Sequence, residues 1–115
     1  MADPLNRGRD VLLLLTTAPD ERTADELAGR LVEERLAACV NVLPGVRSVY
    51  RWKGEVHRDG EVLLVLKSTP EALPRLRDRL TELHPYEVPE LLAFDVADGL
   101  PEYLAWVRAE VEPGS

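Results

Sequence analysis

The order of the apolar segments constrains the fold of this chain more than any other sequence feature. Strands alternate polar and apolar residues or run continuously apolar, whereas amphipathic helices repeat apolar residues every three or four positions. The strand pattern covers residues 10–17, 38–43, 46–52, 61–67 and 91–96. Helical spacing fills the gap after the first run and the gap before the last. The order strand, helix, strand, strand, helix, strand predicts an α+β fold, a ferredoxin-like β-α-β-β-α-β sandwich with both helices on one face.

Both predicted helices carry an apolar stripe, but the first has two alternative starting points. The first begins either at a capping box of residues 23–26 or at Asp20. Its stripe consists of Ala24, Leu27, Ala28, Leu31, Val32 and Leu36. The second is predicted to be capped around residues 68–71 and to end near His84, with Leu73, Leu76, Leu80 and Leu83 on its apolar side. Residues 85–90 form a loop, and residues 101–111 form a short C-terminal helix.

The middle strands predict an extended β-hairpin. Residues 53–60 combine two glycines with charged side chains, including a solvated His57, which is the composition of a hairpin tip. Pro44-Gly45 marks a turn or bulge within the first of these strands. Tyr50 and Trp52 stand two positions apart and share one face, where a small sheet cannot cover large rings. We therefore expect another copy of the chain to bury them.

Composition limits the partners and the location. The net charge of −7 argues against nucleic acid and anionic membrane surfaces, because both attract Lys and Arg. The length of 115 residues suits a single domain, residues 1–115, with flexible ends at about 1–9 and 112–115. The first ten residues include acidic side chains and no apolar stretch of signal-peptide length, which predicts a cytoplasmic location. The single cysteine, Cys39, agrees with a reducing compartment.

Three residues could together hold a soft metal ion. Cys39 is either a small buried hydrophobe within its apolar strand or a thiolate ligand. His84 is either a ligand in the loop or an imidazole placed favourably at a helix end. With Glu90 they would form a partial copper or zinc site, completed by water or by a neighbouring subunit. No nucleophile motif or glycine-rich phosphate loop is present, so we expect neither an enzyme nor an obligatory cofactor.

Six blocks of sequence resemble the signature of the CutA-type divalent-cation-tolerance family in order and spacing. The block at residues 84–90, HPYEVPE, is highly specific, and the match spans about residues 11–111. The other five are TAPDE at 17–21, LAACVN at 36–41, YRWKGE at 50–55, LKST at 66–69 and YLAW at 103–106.

The resemblance implies a homotrimer of ferredoxin-like protomers that binds copper or related divalent ions and serves the response or tolerance to metal ions. Cys39 and His84 fall where metal binding has been suggested for the family. Its inter-subunit ligand cleft would lie near Glu61, Lys67, Tyr86 and Glu90, and its trimer interface would include Tyr50, Trp52 and Trp106. Thr16 stands where some members carry a second Cys, so a copper site with two thiolates cannot form.

Three functions follow as hypotheses. The first is a metal-binding homotrimer involved in the metal-ion response. The second is a sensor similar to the trimeric PII signalling proteins, with a small anionic or zwitterionic ligand held near Lys67. The third is a trimeric scaffold that presents surfaces to protein partners.

Overall fold

The computed structural model describes residues 10–111, and within this range the chain forms four strands and three helices. The predicted flexible ends, 1–9 and 112–115, lie outside the described residues. The predicted order of elements is confirmed, with α3 as the short C-terminal helix. In chain order the elements are β1 (Leu12–Ala18), α1 (Glu21–Glu33), β2 (Cys39–Trp52), β3 (Glu55–Ser68), α2 (Leu73–Leu83), β4 (Leu92–Asp95) and α3 (Pro101–Glu110).

The strands form one antiparallel sheet in the order β2-β3-β1-β4, and α1 and α2 cover one of its faces. Alternate residues of β1 and β3 point to this covered face, and each leucine buried there stabilises the fold by about 1.5–3 kcal/mol. The core between sheet and helices contains Leu12, Leu14, Val62, Leu64 and Leu66 of the sheet, and Ala24, Leu27, Leu31, Leu76 and Leu80 of the helices.

The start of α1 decides between the two predicted caps. Asp20 has an extended backbone, and its Oδ1 accepts a hydrogen bond of 2.7 Å from the backbone N–H of Thr23. This bond lowers the pKa of Asp20. The capping box at residues 23–26 is therefore wrong, because the chain is already helical from Glu21. Asp20 satisfies an N–H group that would otherwise lack a partner at the helix start.

The end of α1 corrects its predicted apolar stripe. The helix ends at Glu33, and Arg35 adopts a left-handed backbone with φ 58°. Leu36 is buried, but it lies in the turn after the helix, where its N–H donates to the Leu31 carbonyl at 2.9 Å. Val32 is 40% exposed rather than packed on the sheet.

The start of α2 lies later than predicted. Ser68 ends β3, and its hydroxyl donates to the Leu36 carbonyl at 2.6 Å instead of capping a helix. The Thr69 hydroxyl accepts a bond of 3.3 Å from the Ala72 N–H, and the helix begins at Leu73 with Pro74 in its first turn. The N-cap of α2 is Ala72, four residues after Ser68, because β3 runs through Ser68.

The strands β2 and β3 are paired over more of the hairpin than its charged composition predicted. Its turn is only Lys53-Gly54, both with positive φ (51° and 82°), which is the geometry of a tight two-residue hairpin. The predicted tip at residues 53–60 is wrong beyond Gly54, because residues 55–60 pair with β2. The predicted bulge is confirmed by a register shift between Leu43 and Val46, where Gly45 has φ 83°. We call the paired residues 46–61 the arm.

The face of the sheet opposite α1 and α2, here called the open face, is also apolar. Leu13, Leu15, Leu63 and Val65 are half-buried there, and Leu43, Leu92 and Phe94 are exposed. The short helix α3 belongs to a separate cluster made by Val11, Ala38, Ala72, Leu104, Val107 and Val111. Along residues 10–111 no helix has the length and apolar character needed to span a membrane.

Candidate functional site

A cleft of about 650 Å³ lies between the arm and the 85–90 loop. Its size is that of small-molecule sites, which typically enclose about 300–1,000 Å³. It is lined by Thr17, Ser48, Val49, Tyr50, Trp52, Glu61, Pro85, Tyr86, Glu87, Val88 and Glu90. We call it the arm cleft.

The loop wall of the arm cleft is fixed to β1 at both ends. The Tyr86 N–H donates to Nδ1 of His84 at 3.1 Å, so Nε2 carries the ring proton and donates to the Thr17 carbonyl at 2.7 Å. The Thr16 hydroxyl donates to the Glu90 carbonyl at 2.7 Å. Because His84 and Thr16 are buried, these bonds hold the loop in one position.

Tyr86 connects the loop to the base of the arm. Its hydroxyl donates to Oε2 of Glu61 at 2.6 Å. Partial burial and the Glu61 carboxylate both raise the pKa of Tyr86. The phenol therefore stays protonated and keeps Glu61 at the floor of the arm cleft as a hydrogen-bond acceptor.

The arm wall is organised by pairs of side chains across the two strands. Tyr50 stacks on His57, with ring centroids 5.4 Å apart and planes at 17°. The Tyr50 hydroxyl donates to Asp59, and this bond raises the pKa of Tyr50. The prediction of a simply solvated His57 is wrong, because the ring is half-buried against Tyr50. The pair holds the Tyr50 ring in position beside Trp52.

The charge of the arm cleft is negative. Glu61, Glu87 and Glu90 line it, and no Lys, Arg or His is among its lining residues in the described range. At its mouth, Nζ of Lys53 lies 5.8 Å from the Trp52 ring centroid and 3.9 Å from the Glu87 carboxylate. Both members of this ion pair are largely exposed, so it contributes little to stability.

Cys39, His84 and Glu90 do not form a metal site within one protomer. Cys39 pairs with Lys67 and, through it, with Leu13, whereas His84 contacts Thr17, about 13 Å further along β1. In residues 10–111 no three His, Cys, Asp or Glu side chains converge as metal ligands. Both ring nitrogens of His84 are engaged in hydrogen bonds, so no lone pair is left for a metal ion.

Lys67 is separated from the other residues of the expected ligand cleft. Glu61 and Tyr86 line the arm cleft together, but Lys67 lies six residues further along β3, about 20 Å away. Its ammonium contacts Sγ of Cys39 at 3.7 Å and also bonds to the Asn41 side chain. Burial, together with the neighbouring Cys39, raises the pKa of Tyr103 at the same end of the sheet.

The three residues predicted at the trimer interface are all partly uncovered. Tyr50, Trp52 and Trp106 are 41%, 40% and 43% exposed. Tyr50 and Trp52 lie on the arm, and Trp106 lies on α3, 5.6 Å from the ring of Tyr103. The expectation that one protomer leaves the two arm rings exposed is confirmed, and the interface stays a prediction.

Several residues of the site are not among the candidates predicted from the sequence. Ser48 and Val49 line the arm cleft, Asp59 fixes Tyr50, and Lys53 sits at the mouth. Their roles depend on strand register across the hairpin, which pairs Ser48 with Asp59 and Tyr50 with His57. The glycine at position 54 is the sequence signal that could have located the turn, because glycine readily adopts the positive φ that a two-residue hairpin turn requires. The position of the turn in turn sets this register.

These observations define the class of protein. It is a ferredoxin-like α+β domain with a projecting β-arm and an acidic, aromatic cleft at the side of that arm. The family model described as "CutA1 divalent ion tolerance protein" matches residues 12–110. The chain belongs to this family.

Known relatives agree with the assignment. Divalent-cation tolerance protein CutA of Thermus thermophilus is 53% identical over 96 residues, 84% of this chain and 93% of that protein. Protein CutA of Mus musculus is 45% identical over 96 residues, which are 84% of this chain and 54% of the mouse protein. The chain thus spans about half the length of the mouse relative.

Solved structures have the same fold. The Thermus thermophilus divalent cation tolerance protein superposes with a TM-score of 0.87 at 50% identity, covering 89% of this chain and 99% of that one. An Archaeoglobus fulgidus CutA structure, described as a periplasmic divalent cation tolerance protein, gives a TM-score of 0.85 at 33% identity, with coverage of 89% and 99%.

Proposed function

We propose that the protein is a homotrimer without catalytic activity that binds divalent copper or zinc in the response to metal ions. The apolar open face supports the assembly, because Leu43, Leu92 and Phe94 are exposed on one side of a sheet whose other side is covered. Contiguous exposed apolar surface is characteristic of protein interfaces. The number three follows from the family resemblance.

Metal binding, in this proposal, uses donors from more than one subunit. Membership of a divalent ion tolerance family supports binding of such ions, and the net charge of −7 favours cations generally. The half-buried thiol of Cys39 is the soft donor available, and the exposed Glu90 supplies oxygen. His84 could join only by giving up its bonds to Thr17 and Tyr86.

Titration calorimetry with Zn²⁺ and Cu²⁺, performed without chelator, tests this function. We expect Cys39→Ser to weaken Zn²⁺ binding by about ten-fold or more, since a thiolate is lost from the ligand set. His84→Ala should lower the melting temperature while leaving Zn²⁺ affinity within about two-fold, because its imidazole is engaged structurally. Absence of binding by the wild type, or binding unchanged by Cys39→Ser, would contradict the proposed ligand set.

A second candidate function is a small-molecule sensor that uses the arm cleft. The cavity of about 650 Å³, its convergent polar groups and the raised pKa of Tyr86 favour it. Within one protomer Lys67 lies outside this cleft, so an anionic or zwitterionic ligand beside Lys67 in a cleft between subunits stays a prediction. Thermal-shift measurements across metabolites of different charge test the function, and no rise in melting temperature with any compound would contradict it.

We propose a cytoplasmic location, which the single cysteine supports because reducing compartments disfavour disulfides. The Archaeoglobus fulgidus relative, which is described as periplasmic, is the reason to test this directly. Cell fractionation should recover the protein with cytosolic markers. Recovery with periplasmic or secreted markers would contradict the proposal.

A further inference from the structure

The open face carries a charged side chain at the end where β2 begins. The strand register places Cys39 opposite Lys67, and Lys67 opposite Leu13. The next row of the face, on the side towards the arm, consists of Asn41, Val65, Leu15 and Leu92. Lys67 is therefore an ammonium beside a thiol on a mostly apolar surface.

The Lys67 ammonium is held against β2 by two contacts. It donates to the side-chain oxygen of Asn41 and lies 3.7 Å from Sγ of Cys39. Lys67 and Cys39 are both half-buried, and within residues 10–111 Lys67 forms no ion pair with a carboxylate. These contacts join neighbouring strands of one protomer, so they do not require the open face to be uncovered.

A divalent ion bound to Cys39 would meet this ammonium. The metal-binding function proposed above uses the Cys39 thiolate as a ligand. The ammonium and the ion are both positive, and both are attracted to the sulfur and to any carboxylate brought to it. They repel each other at short distance, and more strongly where protein excludes water. A neighbouring copy that covers the open face would therefore increase the competition between them.

We propose that Lys67 controls the affinity of Cys39 for divalent ions. Its ammonium takes the place beside Sγ that the ion would occupy, so an ion binds only when the ammonium moves away from the sulfur. The flexible four-carbon stem of lysine allows this movement while β3 stays paired with β2. This inference rests on the metal-binding function proposed above and names the residue that regulates that site.

Titration calorimetry of the assembled protein with Zn²⁺ tests this role through three substitutions of one residue. Lys67→Leu and Lys67→Gln both remove the charge, and each should bind Zn²⁺ about ten-fold more tightly than the wild type. Lys67→Arg keeps the charge, so its affinity should stay within about two-fold of the wild type. Agreement between the apolar and the polar neutral variant separates the effect of charge from that of side-chain shape.

Two further variants assign the effect to the thiol. Arg77→Gln removes a positive charge from an exposed position on α2, outside the open face, and should leave the Zn²⁺ affinity unchanged. The double variant Cys39→Ser with Lys67→Leu should lose the tighter binding, since the gain requires the thiolate. Co²⁺ provides a second measurement, because it shows a charge-transfer absorption band when a thiolate is its ligand. At equal Co²⁺ concentration this band should be stronger in Lys67→Leu than in the wild type.

Equal or weaker Zn²⁺ binding by the two neutral Lys67 variants would overturn the inference. A gain that Arg77→Gln reproduces, or that remains after loss of Cys39, would overturn it as well. In each of these cases Zn²⁺ still binds, so the metal-binding function stands and only the role of Lys67 is wrong. If neither the wild type nor the neutral Lys67 variants bind Zn²⁺, the function and the inference are both wrong.

Discussion

Strand β3 has two halves that share one backbone ladder but differ in burial. At its base, Val62, Leu64, Leu66 and Ser68 are buried beneath the helices. On the arm, residues 55–60 pair just as regularly with β2, yet only His57 is even half-buried. The base is held by side-chain packing, whereas the arm is held by hydrogen bonds and turn geometry. Because isolated two-stranded hairpins are marginally stable, we expect the arm to depend on contacts from outside its own protomer.

The largest effect should follow from removing packing at the base. We expect Leu64→Ala, at a fully buried position, to lower the free energy of unfolding by about 3 kcal/mol. Val56→Ala, on the same strand but in the arm, should change it by less than about 0.5 kcal/mol. Urea denaturation at one fixed protein concentration measures both. Equal losses would mean that the two halves are packed alike.

The two histidines provide a second contrast. His84→Ala leaves the Thr17 carbonyl and the Tyr86 N–H without their buried partner, which should cost about 2 kcal/mol. His57→Ala removes a stacking contact with Tyr50 on the partly exposed arm and should cost about 0.5 kcal/mol. Thermal unfolding compares the variants, and a larger loss for His57→Ala would refute the structural role given to His84.

On the arm, the free energy of unfolding should depend on turn geometry more than on side-chain packing. At Gly54 φ is 82°, so Gly54→Ala should cost about 1 kcal/mol although a Cβ would meet nothing within 4 Å. Gly60→Ala is the control, since its Cβ also enters open space and its φ is not in the left-handed region. The urea midpoint should fall for Gly54→Ala alone. Identical midpoints would show that the turn is not held as described.

A pH-dependent effect of similar size concerns Tyr86, where base and arm meet. Loss of its bond to Glu61 in Tyr86→Phe should cost about 1 kcal/mol at neutral pH. Because the folded pKa of Tyr86 is raised, its contribution is full below the unfolded pKa near 10 and falls as pH rises above that value. Unfolding at pH 9 and pH 10.5 should show a steeper loss in the wild type than in Tyr86→Phe. Parallel losses would contradict the assignment.

Much of the fold could be predicted because local patterns and tertiary packing agree. The leucine spacing of α1 and α2 and the apolar runs of β1 and β3 correspond to the covered face of the sheet. Boundaries failed where several local signals compete. Thr23 looked like a cap but lies one turn inside a helix that Asp20 begins, and residues 55–60 looked like a loop because both of their faces are polar.

The candidate site was only partly predictable. Tyr86 and Glu61 were named together through the family resemblance, and they are bonded. Lys67 is predicted to share a cleft with them, but within one protomer it lies about 20 Å from Glu61, as the six-residue spacing along one strand already indicates. The hydrogen bonding of the His84 ring could not be predicted from the sequence either. It depends on the backbone groups of Thr17 and Tyr86, which only the folded chain brings to its two nitrogens.

We propose that other copies of the chain complete the open face and the arm, and sedimentation equilibrium at micromolar concentration tests this assembly most directly. We predict a mass three times the 12.9 kDa of one chain for the wild type. Phe94→Glu on the open face should dissociate the assembly, while Val32→Glu, at a similarly exposed site on α1, should not. A folded wild-type protein that sediments as a single 12.9 kDa chain would contradict the account.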